Sequence, residues 1–159
     1  MKFLRWMLST CVVLALSSGL AVAHDDKYFD SIKSPHGGQT RMAGVYHFEL
    51  VLVADSKTAK ENAVVVYVTD HAGKAIATKG ASASLVLVQG ANKVSVNLTP
   101  DSDNRLVGKA TYASAANLKG ALTVTMENKP AEQARFTPFA KAKMNDTKKE
   151  EAGEHAHHH

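Results

Sequence analysis

From Gly44 to about Thr137 the chain repeats one pattern: short segments rich in Val, Leu, Tyr and Thr, broken by Gly, Asn, Asp or Pro. Such spacing predicts antiparallel β structure. The segments are 45–53, 63–69, 83–88, 93–98, 106–112, 121–127 and 133–137, with a shorter piece at 75–78. Val94, Val96 and Leu98 alternate with Ser95 and Asn97, so this segment has one face to bury and one to wet. The intervening His71-Ala72-Gly73, Gln89-Gly90-Ala91-Asn92 and Pro100-Asp101-Ser102-Asp103-Asn104 bend the chain or tolerate positive φ. Seven or eight such strands in one domain predict an all-β fold, an immunoglobulin-like antiparallel β-sandwich over residues 44–140, with a β-barrel as the alternative.

The flanks read differently. Residues 24–43 open with charged side chains and contain Pro35, Gly37 and Gly38, which predicts an arm without regular structure. Residues 141–159 are charged, almost free of large apolar side chains, and end Glu154-His155-Ala156-His157-His158-His159. Such a tail buries too little apolar surface to offset its ordering entropy and is expected to be disordered. Its histidines are either a native metal-collecting segment or a tag. At the other end, Lys2 and Arg5, the apolar run from Cys11 to Leu16, and Ala21-Val22-Ala23 have the layout of a secretory signal peptide over residues 1–23, cleaved after Ala23. A periplasmic location is expected, with no membrane span after cleavage.

Composition narrows the chemistry. Cys11 is the one cysteine and would leave with the signal, so thiolate metal sites and cysteine nucleophiles are excluded. The formal charge of +4 falls to +2 when Lys2 and Arg5 are lost, which gives no reason to expect nucleic acid as partner. All eight histidines lie from His24 onward. No G-x-S-x-G elbow, H-E-x-x-H pair or phosphate-binding glycine loop occurs, and no enzymatic activity is expected.

The candidate chemistry is imidazole and carboxylate. Period-two geometry places His47 and Glu49 on one face of their strand and Phe48 and Leu50 on the other. His36 lies upstream beside Gly37-Gly38, where the backbone can turn and approach closely. His71 follows Asp70 where the next strand runs into a turn. His24 would begin the mature chain and could chelate copper through its amine and ring. Each histidine taken singly is an ordinary solvated residue; together they form a candidate metal site of His36, His47, Glu49, His71 and His24. Met42, Met126 and Met144 are scattered, so imidazole and carboxylate ligands suited to Cu(II), Zn(II) or Ni(II) are expected in place of a thioether Cu(I) site.

His36-Gly37-Gly38, then Gly44-Val45-Tyr46-His47-Phe48-Glu49-Leu50-Val51, then Val66-Tyr67-Val68-Thr69-Asp70-His71-Ala72-Gly73-Lys74 resemble small exported proteins found with heavy-metal efflux systems. They are also similar to the amino-terminal module of some periplasmic efflux adaptor subunits. Asn104 to Lys109 and Ala134-Arg135-Phe136 extend the resemblance to residues 34–137. What it implies is a periplasmic β-domain that binds copper or zinc, with His36, His47, Glu49 and His71 as the matching positions. It would serve metal resistance or hand the ion to an efflux adaptor or other envelope protein. The alternative is an envelope protein-interaction β-module with no specific metal site.

Overall fold

The computed structural model describes residues 26–140, in the order α1 (Asp26–Ser31), β1 (Gln39–Ala43), β2 (Tyr46–Leu52), β3 (Lys60–Thr69), β4 (Ser82–Gln89), β5 (Asn92–Ser102), β6 (Arg105–Tyr112), β7 (Lys119–Thr125) and β8 (Ala131–Phe136). Every strand pairing is antiparallel, and the strands join in one sheet of order β1-β2-β3-β6-β5-β4-β7-β8. The all-β expectation holds. Two layers face each other as in a sandwich, and β5 makes them continuous: its first part pairs with β4 and its last with β6, bending at a bulge between Pro100 and Ser102. Proline lacks the donor a regular ladder needs, so the irregularity falls where the sequence cannot continue the pairing. β1 and β8, the two ends of the sheet, come together without strand pairing, so the sheet is nearly closed. The Gln39 side chain bridges this seam, its Oε1 accepting the Thr137 N–H at 2.7 Å.

Alternation decides what is inside. Phe48 and Leu50 of β2, Val64, Val66 and Val68 of β3 and Leu106 of β6 face Leu85, Leu87, Leu122, Val124 and Phe136 from the second layer. Each of these side chains contributes about 1.5–3 kcal/mol on full burial. The short piece at 75–78 is a single bridge, Ala75 to Thr69, rather than a strand. Val45 stands in the hairpin turn beside Gly44, whose φ of +57° suits glycine, and β2 begins one residue later.

The arm departs from expectation. Asp26–Ser31 is helical and Gln39–Ala43 pairs with β2 in register from Gln39 opposite Leu50 to Ala43 opposite Tyr46. The reason is tertiary. Phe29 is buried to 7% exposure, and the buried Arg41 guanidinium reaches Asp30 at 2.9 Å and Asp26 at 3.6 Å. The Gln39 amide also donates to Asp30. Long-range partners hold a segment whose own pattern is polar. Residues 1–23, where a signal peptide is expected, His24 and the tail lie outside the described residues. Among the described residues, no helix is long and apolar enough to cross a membrane.

At one end of the barrel-like layer, Tyr112 fastens the loop after β2. Its hydroxyl donates to the Ala63 carbonyl at 2.7 Å and accepts the Val53 N–H at 2.9 Å. Asn62 donates to Ser56 Oγ and to the Tyr112 carbonyl, both at 2.9 Å. Burial pushes the Tyr112 hydroxyl above its ordinary value of 10.0, partly offset by the Val53 N–H. Because the folded state holds this proton more tightly than the unfolded chain, stability is full below about pH 10 and declines as pH rises toward the raised folded value. Tyr112→Phe is expected to lose about 1 kcal/mol at neutral pH, the contribution of a typical hydrogen bond. It should also show a shallower alkaline decline than the parent in urea unfolding at pH 8 to 11. Parallel declines would mean that Tyr112 does not titrate in this transition.

Candidate functional site

β2 presents His47 and Glu49 on its outer face because Tyr46, Phe48 and Leu50 take the core. Glu49 is nevertheless only 5% exposed, since the loop before β1 folds across it. Its Oε1 accepts the backbone N–H of His36 at 2.8 Å and of Gly38 at 3.0 Å, and its Oε2 lies 2.7 Å from His36 Nδ1. Two glycines make the approach possible. Gly37 has φ of +76° and donates its N–H to the Ser34 carbonyl, while a Cβ at position 38 would run into the Leu50 carbonyl.

The His36 ring lies flat on Tyr67, with centroids 3.5 Å apart and planes 4° from parallel. Tyr67 sits opposite Glu49 on β3, and Arg105 sits opposite Tyr67 on β6. Arg105 is bonded to Asp101, and that carboxylate, followed by the Tyr67 hydroxyl, raises its affinity for its proton; it stays cationic. The carboxylate of Glu49 already accepts two N–H groups, and its second oxygen is placed to accept a third from Nδ1. A neutral His36 then keeps its lone pair on Nε2. This is the arrangement by which a carboxylate fixes the tautomer of a metal-ligating histidine.

A second pair lies beside the first along β2. His47 is opposite Met42 of β1 and Thr69 of β3. His71 lies in the turn after β3, where Asp70 Oδ1 accepts the Ala72 N–H at 2.8 Å and the Lys74 N–H at 2.9 Å. That side-chain-capped turn folds His71 back over the sheet, and its ring stacks on His47 with centroids 5.0 Å apart and planes 16° from parallel. Phe29 of α1 meets His47 at 74°, with centroids 4.9 Å apart.

Thus the fold brings His36, His47, Glu49 and His71 to one patch as two adjacent pairs. The oxygens of Glu49 are engaged by the loop, which makes it the group that positions His36. In the present side-chain positions, no three His, Cys, Asp or Glu side chains among the described residues converge as an ion would require. Two contributors were not expected from the sequence. Tyr67 was signalled by parity, since Val64, Val66 and Val68 take the core and leave it outside; Phe29 had no local signal. A separate cleft of about 470 Å³, lined by Asp26, Arg41, Val86, Lys119 and Arg135 among others, lies between α1 and β1 on one side and β4, β7 and β8 on the other, and none of these histidines lines it. No protein-family model matches the chain, and no curated protein or solved structure was found to be similar to it.

Proposed function

We propose that this is a periplasmic transition-metal-binding protein, specific for Cu(II) or Zn(II), that serves metal resistance by holding the ion for an efflux system. One observation carries the reading: the β2–β3 register and the Asp70 turn place the rings of His47 and His71 in mutual contact, beside a His36 that Glu49 orients through Nδ1. Imidazoles from three separate segments are a donor set suited to these ions. His36 Nε2, His47 and His71 are the three donors, drawn together by ring rotation when the ion enters. His24, two residues before α1, adds an amine and a ring when it begins the mature chain. The tail histidines raise the local metal concentration by weak multivalent contacts. The signal-peptide layout of residues 1–23 supports export.

Zn(II) and Cu(II) titration calorimetry on the chain with His155, His157, His158 and His159 replaced by alanine tests this reading. A one-to-one site is expected, lost in a further His47→Ala change and weakening as pH falls and protons compete for the rings. Equal binding with and without His47, or none at all, would sink it. A docking module is the second reading, favoured by the exposed apolar side chains of Tyr28, Ile32 and Val45; it predicts no stoichiometric metal once the tail histidines are gone.

A further inference from the structure

Phe29 is the buried member of a six-residue helix whose other large apolar side chain, Tyr28, is 58% exposed, as is the following Ile32 at 46%. What it covers is His47. An imidazole binds a metal through a lone pair in its ring plane, at about 2.0–2.1 Å from nitrogen. Two rings stacked 16° from parallel with centroids 5.0 Å apart hold their lone pairs in two separate, nearly parallel planes. No ion lies in both planes until a ring turns. His47 is hemmed by His71 and by Phe29, each with its centroid within 5.0 Å. A turn of His47 toward a shared ion therefore has to displace a ring packed on it, and Phe29 is one of the two.

Resting on the metal-binding reading above, we infer that α1 is a latch on the site. Phe29 holds His47 in its stacked, non-ligating orientation, and metal capture turns His47, expels Phe29 and releases α1. Among the ties of α1 are those from Gln39 and the buried Arg41 to Asp26 and Asp30, carboxylates that already stand partly in solvent and that water can solvate further when the helix lifts. Release would bare Phe29 beside Tyr28 and Ile32, so that the loaded protein differs from the empty one in the apolar surface at its amino-terminal end. Coupling of this kind is reciprocal: whatever factor the latch takes from metal affinity, metal takes from latch closure.

The test uses the full chain with the four tail histidines replaced by alanine. Phe29→Ala is expected to tighten Zn(II) binding by roughly tenfold, within the usual span of coupled equilibria. Ile32→Ala, which changes an exposed neighbour, should leave it unchanged. In the parent, Zn(II) should abolish the nuclear Overhauser contact between the Phe29 and His47 rings. Zn(II) binding with that contact intact and with Phe29→Ala at parental affinity would overturn the latch while leaving the site standing. Absence of a stoichiometric Zn(II) site in both parent and Phe29→Ala would remove the site, and the latch with it.

Discussion

Replacing Glu49 by alanine is expected to cost about 2–4 kcal/mol of stability, more than a surface carboxylate on an outer sheet face would suggest. Glu49 is buried and accepts two backbone N–H groups from the loop while meeting His36 Nδ1. Its removal leaves three polar groups without their acceptor, and hydrogen bonds to a charged group contribute about 1.5–3 kcal/mol each, part of which water recovers once the loop lifts. Glu49→Gln separates the two tasks. The amide keeps the volume and an oxygen for the His36 and Gly38 N–H groups, so stability should stay within about 1 kcal/mol of the parent. Its NH2 group, however, now faces Nδ1, which must become the acceptor. The ring proton then moves to Nε2 and blocks the nitrogen the site would use. A fall in Zn(II) affinity of roughly ten- to a hundredfold is expected for Glu49→Gln, the usual effect of losing such a partner. Urea unfolding and calorimetry on both variants check this. If Glu49→Gln binds Zn(II) as tightly as the parent, Glu49 is a loop anchor and does not serve the ligand.

The strands were legible because burial along them has period two, and a period needs only local sequence. β1 and α1 were not, because their burial rests on Phe29 and on Arg41, whose partners His47, Asp26 and Asp30 lie eleven or more residues away. Charged side chains at Asp26 and Asp30 read as solvent-loving until Arg41 is placed beside them. The site divides the same way. Parity put His47 and Glu49 on one face, and the paired glycines signalled the close approach that lets Glu49 gather the His36 loop. Whether His71 would reach His47 depended on the β2–β3 register, in which His47 lies opposite Thr69, two residues before His71. Register is set by the whole hydrophobic face of both strands and is not a property of either histidine's neighbourhood.

That same parity makes stability and binding separable within β2, and Phe48→Ala is the sharpest expression of it. Phe48 is fully buried, with Phe136 one of the two largest such side chains in the core, and its register neighbours are Arg41 on β1 and Val68 on β3. Its truncation should lower the unfolding free energy by about 3–5 kcal/mol, through lost transfer energy and the cavity left behind. Against the 5–15 kcal/mol total typical of a single domain, that change is severe yet leaves a folded population at low temperature. Under those conditions Zn(II) affinity should stay within about threefold of the parent, since His47 and Glu49 point to the opposite face and their partners come from the loop, α1 and the Asp70 turn, as expected for sites without shared contacts. Thermal unfolding paired with calorimetry at 10 °C measures both quantities on one sample. An affinity that fell in step with stability would show that the outer patch is positioned by the fine packing of the core, and that the two faces of β2 work as one unit.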